Sequence, residues 1–270
     1  MTDRSQELAA THRLPAAFAS GAVVGTLGGL IGLGGAEFRL PILIGMFRFV
    51  ALEAVILNKA MSLVVVASAL PFRATAVPWA AVAEHWTVIA NLLFGSLLGA
   101  WLGAGWATRL RAQTLYRVIA LLLVVIAAVL MFAHDPAGGG KPPFEGGLQA
   151  VVGAGAGFII GIVAAILGVA GGELLIPTLV LLFGADIKLA GSLSLAVSLP
   201  TMIAAFTRYS RDQSFAVLRK SRLFVLVMAV GSIVGTFSGG QLLGIVPSHV
   251  LLPLLATILL VSAVKIWRHQ

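Results

Sequence analysis

The second half of this chain repeats its first half at a constant offset of 136 residues, the difference between Gly32 and Gly168. The clearest copy is a glycine-rich stretch that contains one acid and ends in a proline, over residues 32–41 and again over residues 168–177. The same offset pairs further small residues: Gly21 with Gly157, Gly25 with Gly161, Gly95 with Gly231, Gly99 with Gly235, Gly103 with Gly239, and Ser62 with Ser198. Such a duplication predicts two halves of like fold.

The chain is too apolar to be a soluble protein. Of its 270 residues, 59% are hydrophobic and 10% are charged, and the mean hydropathy is +1.04, whereas about 25% of the residues of a soluble domain are charged. Residues 14–267 consist almost wholly of apolar runs, several of which reach the roughly 20 residues that span a bilayer. We therefore predict an all-α polytopic membrane protein with no separate soluble domain. Residues 1–13 are polar and no cleavage pattern follows them, so we expect no removable signal peptide.

Several functional classes are disfavoured by the composition. The net charge of +8 does not indicate a nucleic-acid partner, because the basic residues cluster between apolar segments, as the positive-inside rule predicts for a membrane protein. The chain has no cysteine, and its histidines show no ligand spacing, so we predict no metal and no cofactor. Without a catalytic-triad order, a P-loop or a zinc-protease motif, the chain is predicted to be neither an enzyme nor, alone, an ATP-driven pump.

Each half is predicted to contain five helical segments. The apolar runs cover residues 14–33, 38–50, 53–72, 86–108 and 113–133 in the first half, and residues 148–169, 173–185, 187–207, 222–244 and 248–267 in the second. The second run of each half is too short for a comfortable crossing. The first and second runs are therefore expected to form broken or re-entrant helices that meet at a glycine-rich break in the centre of the protein.

The basic loops change sides between the two halves. A basic stretch at residues 208–222 has a counterpart at residues 72–86 with a single basic residue, Arg73. Conversely, the basic stretch at residues 109–117 has an uncharged counterpart at residues 244–247. Because cytoplasmic loops carry the excess of Lys and Arg, the halves are predicted to be two inverted-topology repeats.

The predicted organisation has four parts. They are a cytoplasmic N-terminal tail (residues 1–13), a first transmembrane repeat (14–134), a Pro- and Gly-containing linker (135–147) and a second transmembrane repeat (148–270). Both termini are placed in the cytoplasm and the linker outside, so each repeat crosses the cell (inner) membrane an odd number of times. Five crossings per repeat satisfy this parity, and so do three crossings with a re-entrant pair.

The two glycine-rich breaks are the candidate substrate site. Glycines let the backbone unwind and approach a ligand, and a helix that starts after a break points unpaired N–H groups into it, which favours an anion. The candidate binding residues are Gly34, Gly35, Ala36 and Glu37 in the first copy and Ala170, Gly171, Gly172 and Glu173 in the second. The alternative is that the glycines only permit close helix packing, as we expect for the glycines at four-residue spacing from Gly95 and from Gly231.

Glu37 and Glu173 are the only acids that both copies keep. An acid at membrane depth is costly and is by default a functional candidate. Both are therefore proton-coupling candidates, and the alternative is that they hold the broken helix open by accepting backbone N–H bonds. Arg39 lies one turn from Glu37 and could pair with it, whereas Leu175 stands at the equivalent place in the second copy.

The third segment of each half supplies further candidate ligands. Asn58 and Ser62 share one helix face, as do Ser194 and Ser198, and such small polar groups suit an oxyanion. The alternative is interhelical hydrogen bonding, worth roughly 1 kcal/mol per bond. Lys59 has no counterpart in the second half; it either reaches the membrane interface or supplies the positive charge of an anion site.

With these residues in place, the chain resembles the sulfite exporter TauE/SafE family of membrane permeases over residues 16–267. The resemblance is carried by the duplicated glycine motif, each copy of which precedes a small polar cluster, and the motif positions are Gly32, Gly34, Gly35, Pro41, Gly168, Gly171, Gly172 and Pro177. It implies a multi-pass carrier of sulfite, sulfoacetate or other organosulfonates. Two features depart from the pattern: Ala170 stands where the first copy has Gly34, and Asn58-Lys59 stands where small hydroxyl residues would be typical.

We therefore expect a secondary transporter, an exporter by the resemblance, that works by alternating access around an anion site between the repeats. Proton coupling through Glu37 or Glu173 is a further hypothesis. A passive anion channel, a carrier of another small anion or carboxylate, and a structural partner of a membrane complex remain as alternatives. The anion, the direction of transport and the oligomeric state stay open at this point.

Overall fold

A computed structural model describes residues 14–49, 51–106, 142–167, 169–209 and 216–268, together with residues 121, 124, 127 and 128. Every regular element in these ranges is helical. The predicted tail 1–13, nearly all of the predicted helix 113–133, and most of the linker 135–147 lie outside the described residues.

The first half folds into helices close to the predicted bounds. They are α1 (Leu14–Leu27, continued by a π-helical turn over Gly28–Gly32), α2 (Ala36–Pro41, continued by a π-helical turn over Ile42–Met46), α3 (Ala51–Phe72, followed by a 3-10 turn over Arg73–Thr75), α4 (Trp79–Glu84) and α5 (Trp86–Trp106). The second half contains α6 (Gly146–Leu167), α7 (Gly172–Phe183), α8 (Ile187–Tyr209), α9 (Ala216–Lys220), α10 (Arg222–Ile245) and α11 (Ser248–Arg268). The short helices α4 and α9 were not predicted, and they follow α3 and α8 at equivalent places in the two halves.

The lengths and hydropathy of these helices are those of a membrane protein. Five stretches within the described ranges are long and apolar enough to cross a bilayer: Leu14–Gly32, Ile56–Thr75, Gly146–Ala165, Ile187–Ala204 and Arg222–Ile245. The chain is thus an all-α polytopic membrane protein. Helix α7 has 12 residues, about 18 Å at 1.5 Å per residue, which is less than the roughly 30 Å of the hydrocarbon core. By itself, α7 is therefore too short to cross the bilayer.

Glycines bring the first helix of each half against a helix of the other half. A Cβ atom on Gly21 of α1 would collide with the Met228 carbonyl of α10, and a Cβ atom on Gly157 of α6 would lie 2.5 Å from the Leu92 carbonyl oxygen of α5. Gly21 and Gly157 are equivalent under the repeat, and so are Met228 and Leu92. The same close contact therefore occurs twice, with the roles of the halves exchanged.

Other repeat-related glycines extend both contacts along the helices. The pairs are Gly25 with Ser232, Gly231 with Phe18, Gly235 with Ala22, Gly161 with Ser96, Gly95 with Ala154 and Gly99 with Phe158. In each pair the backbone of the partner occupies the place that a glycine Cβ would fill. The predicted close-packing role of the glycines at four-residue spacing is confirmed at Gly95, Gly99, Gly231 and Gly235.

Polar contacts across the halves lie beside these glycine seams. The Ser68 hydroxyl of α3 is 2.9 Å from the Thr236 hydroxyl of α10, and the Ser96 hydroxyl of α5 is 3.0 Å from the Thr201 hydroxyl of α8. Such hydrogen bonds are typical of helix packing within a bilayer, where apolar burial contributes little to helix association. The third helix of each half is thereby fixed against the other half, and α3 and α8 flank the two glycine breaks.

The glycine seam can be tested with two alanine substitutions in α6. We expect Gly157→Ala to lower the thermal stability of the protein in detergent, because the new methyl would press on the backbone of α5, and overpacking typically costs about 1–3 kcal/mol. Gly155→Ala is the matched control, since nothing lies within 4 Å of a Cβ atom there and alanine favours a helix over glycine by up to about 1 kcal/mol. Equal melting temperatures for the two variants would contradict the packing described for α5 and α6.

Candidate functional site

Both glycine-rich breaks end one helix and start the next where the sequence predicts. Helix α2 begins directly after Gly35 and helix α7 directly after Gly171, and these glycines have left-handed φ angles of 67° and 77°. Residues with a Cβ atom rarely adopt this conformation. Because glycine has no side-chain oxygen, neither of these residues can cap the N–H groups of the helix that follows it, as Ser, Thr, Asp or Asn would do.

The two breaks are in direct contact with each other. A Cβ atom on Gly34 would lie 2.7 Å from the Cβ of Ala170, and a Cβ atom on Gly172 would lie 3.4 Å from the carbonyl oxygen of Gly32. The backbone residues predicted for the site are all buried: Gly34, Gly35, Ala36, Ala170, Gly171 and Gly172. The departure at Ala170 also has an explanation, because its methyl group fits only opposite a residue that has none, which is Gly34.

Side chains of α3 face the first break, as their helical spacing predicts. Asn58 is 3% exposed, and its Nδ2 donates to the carbonyl oxygen of Ala36 at 3.0 Å. Ser62 is fully buried, and its Oγ accepts a hydrogen bond of 3.1 Å from Nη1 of Arg39. Lys59, between them in sequence, is half-buried.

Side chains of α8 face the second break. The Oγ of Ser198 donates to the carbonyl oxygen of Ala170 at 2.9 Å, so it holds the second break much as Asn58 holds the first. Ser194 is 1% exposed, and its Oγ has no hydrogen-bond partner among the described residues. This Oγ lies 3.4 Å from the position of a Cβ atom on Gly172, the first residue of α7.

The two acids predicted for proton coupling belong to the first turns of α2 and α7. Glu173 is the second residue of α7 and is 6% exposed. Glu37 belongs to α2 by its backbone, and its side chain lies outside what the structure describes. Both acids therefore stand immediately after a break, at the end of the helix where the macrodipole favours negative charge.

Arg39 contributes more to the candidate site than the sequence suggests. The sequence offers it as a partner of Glu37, whose side chain lies outside the described residues. The structure buries Arg39 completely, and its Nη1 donates to the Oγ of Ser62. Its Nη2 is 3.8 Å from the position of a Cβ atom on Gly35, so the positive charge lies beside the first break. The sequence signal was available, since an arginine in an apolar segment whose copy has leucine marks a difference between the halves.

Arg73 is a residue that the sequence reasoning misplaced. We took it as a charge in the loop 72–86, but it lies in the 3-10 turn after α3 and is fully buried. Its Nη1 donates to the carbonyl oxygens of Gly29 and Leu30 at 2.7 and 2.8 Å, in the π-helical turn before the first break. Gly29 and Leu30 belong to the last turn before the helix ends at Leu33, where carbonyls have no partner within the helix, and Arg73 supplies their donor.

The same guanidinium also contacts the second half. Its Nη2 donates to the carbonyl oxygen of Lys188 at 2.7 Å and its Nε to the Oγ of Ser192 at 3.0 Å, both in α8. Gly191 leaves the space for it, because a Cβ atom there would lie 3.1 Å from Cζ of Arg73 and closer still to Nη2. Arg73 thus joins the C-terminal end of α3 to the N-terminal end of α8, its equivalent in the repeat.

Comparison with known proteins agrees with the motif resemblance. The family model described as sulfite exporter TauE/SafE matches residues 11–266, which is nearly the whole chain. No curated protein and no solved structure matches the chain.

The role of Arg73 predicts a stability effect from a charge-conserving change. Arg73→Lys should lower the thermal stability in detergent by at least about 2 kcal/mol, because a lysine ammonium cannot reproduce the planar fork that meets four acceptors, and each buried acceptor left unpaired costs roughly 1–3 kcal/mol. Arg222→Lys, at an exposed arginine at the start of α10, is the matched control and should leave the melting temperature unchanged. If Arg73→Lys also has the melting temperature of the wild type, the contacts of Arg73 do not stabilise the fold.

Proposed function

The chain belongs to the sulfite exporter TauE/SafE family of membrane permeases, and we propose that it is a secondary transporter, acting as an exporter, of small sulfur-containing anions. Sulfite, sulfoacetate and other organosulfonates are the substrates we favour. The observation that carries the proposal is the contact between the two uncapped breaks, Gly34 against Ala170 and Gly32 against Gly172. A site built where two such breaks meet is the arrangement that secondary transporters with internal repeats use.

The hydrogen bonds around the breaks support an anionic substrate. The side chains of Asn58 and Ser198 donate to break carbonyls, those of Ala36 and Ala170. These carbonyls already accept hydrogen bonds from the protein, whereas Gly35 and Gly171, the residues before α2 and α7, provide no side-chain cap. N–H groups at a helix start, with the positive end of the macrodipole, favour an anion.

In this proposal, backbone N–H groups at Gly34 to Glu37 and at Ala170 to Glu173 hold the anion. The polar side chains that face the breaks complete its surroundings; they are Asn58, Ser62, Ser194 and Ser198. The buried charge of Arg39 supports this assignment, since a fully buried arginine at membrane depth is costly and marks a functional site by default. Lys59 is a further candidate for positive charge.

Alternating access is proposed to follow from the repeat. The seams between α1 and α10 and between α5 and α6 consist of equivalent glycine contacts with the halves exchanged. The two halves could therefore exchange conformations, which would produce a second state of the transporter with the same kind of helix packing. Arg73, which joins the end of α3 to the start of α8, supports opposite orientations of these equivalent helices. We accordingly propose two inverted repeats over residues 14–134 and 148–270, in the inner membrane, with both termini cytoplasmic.

Proton coupling is a separate part of the proposal. Glu173 is buried directly after the second break, and Glu37 is its counterpart in the repeat. A carboxyl group next to a bound anion is favoured in its protonated form when the anion is present, because two neighbouring negative charges disfavour each other. Binding of the anion and of a proton would thereby be linked.

Transport by purified protein in proteoliposomes tests the function. We expect saturable exchange of radiolabelled sulfite, competed by sulfoacetate, and a faster net flux when a pH gradient is imposed. In the double variant Glu37→Gln, Glu173→Gln, the pH gradient should no longer change the flux.

The other outcomes separate the alternatives. Flux that fails to saturate would indicate a passive channel, and saturable exchange of a carboxylate without sulfite would indicate a carrier of another anion. Absence of flux for every anion, with a stoichiometric partner on purification, would indicate a structural subunit. A pH response that survives in the double variant would remove the two acids from the coupling mechanism.

A further inference from the structure

The four polar side chains around the breaks occupy equivalent positions but make different hydrogen bonds. Asn58 is the counterpart of Ser194, and Ser62 is the counterpart of Ser198. Asn58 and Ser198 each donate to a break carbonyl and so fix the backbone. Ser62 and Ser194 do not, and the two remaining hydroxyl groups come from different halves and from non-equivalent positions.

Ser194 presents a hydroxyl group to the start of α7. It is 1% exposed and without a hydrogen-bond partner among the described residues, and buried polar groups in this state call for an explanation. Its Oγ is 3.4 Å from the position of a Cβ atom on Gly172, at the uncapped N-terminus of a helix of 12 residues. A hydroxyl donor beside the first N–H groups of a helix is complementary to an oxyanion.

Ser62 presents a hydroxyl group that is polarised by a cation. Its Oγ accepts a hydrogen bond from Arg39 at 3.1 Å, and within the described parts of the chain its own hydrogen has no acceptor. A hydroxyl group that accepts from a guanidinium becomes a stronger donor. Ser62 also lies at the crossing of the breaks, because its Cβ is 3.5 Å from the position of a Cβ atom on Gly34.

The two halves also differ in charge where the two breaks meet. Arg39 brings a buried cation from the first half, where the second half has Leu175. Of the two helices that start at a break, the one in the second half is longer: α7 has 12 residues, whereas α2 has 6 α-helical residues before its π-helical turn. The first half thus contributes charge, and the second half contributes the helix N-terminus.

We propose that the substrate is recognised by Ser194 with the first N–H groups of α7 on one side and by Ser62, backed by Arg39, on the other. Asn58 and Ser198 then act as positioning residues that hold the two breaks. This inference rests on the proposed transport of a small oxyanion and names the groups that recognise it. It also predicts selectivity for a group with several acceptor oxygens on one centre, as in sulfite or a sulfonate, over a halide ion.

The test compares two serine-to-alanine variants in the proteoliposome exchange assay. Ser194→Ala should raise the KM for sulfite about tenfold or more, because it removes a hydrogen bond to a charged ligand. Its melting temperature without sulfite should not fall, since the lost hydroxyl has no partner in the described structure. Ser232→Ala is the matched control: this serine is also fully buried with an unpartnered Oγ among the described residues, but it lies in α10 against Gly25, and its KM should equal that of the wild type.

Three further variants, at Ser198 and Arg39, separate recognition from positioning. Ser198→Ala should lower the melting temperature, because the Ala170 carbonyl loses its donor. Arg39→Leu, which introduces the residue of the second half, should abolish saturable exchange, whereas Arg39→Lys should retain it with a higher KM.

The results that overturn the inference differ from those that overturn the proposed function. If the wild type exchanges sulfite and the KM of Ser194→Ala stays within about twofold, or if Ser232→Ala raises the KM equally, Ser194 does not recognise the anion. If Arg39→Leu exchanges sulfite like the wild type, the charge of Arg39 does not take part in recognition of the anion, and this part of the inference is wrong. If the wild type exchanges no oxyanion, the proposed function is wrong and this inference falls with it.

Discussion

The structure depends on the direct contact of two interrupted helices inside a membrane. An interruption exposes backbone groups where no water can satisfy them, and unsatisfied groups in hydrocarbon cost several kcal/mol each. Here side chains supply donors to the carbonyls: Asn58 to Ala36, Ser198 to Ala170, and Arg73 to Gly29 and Leu30. Gly35 and Gly171, which precede α2 and α7, offer no side-chain cap to the N–H groups that start these helices. At the breaks, the carbonyl groups thus have side-chain donors, whereas the residues before the helix starts provide no side-chain acceptors for the N–H groups. This difference is the physical reason for proposing an anion.

The duplicated fold and the unequal site have different origins. The glycine seams repeat almost position for position, so the packing of α1 on α10 matches that of α6 on α5. The centre does not repeat in this way: Arg39 stands opposite Leu175, Asn58 opposite Ser194, and Gly34 opposite Ala170. Backbone packing tolerates little change because the glycines touch backbone atoms, whereas side chains that face a central contact can diverge. A shared frame with two specialised halves is the result.

The sequence predicted the elements of this fold well, and it predicted the atomic contacts of the site only in part. Apolar runs and glycine motifs placed the breaks correctly, since a helix start after a left-handed glycine is a local property. Helical spacing also placed Asn58 and Ser62 on the face that meets the first break. It did not predict that Arg73 reaches α8 or that Arg39 reaches Ser62. Such contacts depend on how helices distant in sequence cross. The pairing of Arg39 with Leu175 in the repeat marks a difference between the halves, but it does not indicate which residue Arg39 contacts.

Hydrogen–deuterium exchange of the purified protein, with and without sulfite, tests the central claim most directly. The account predicts that sulfite slows exchange of the backbone amides at residues 34–37 and 170–173, while amides of the α5–α6 seam exchange as before and chloride has no such effect. Slower exchange elsewhere with no change at either break would contradict the claim that break N–H groups bind the anion.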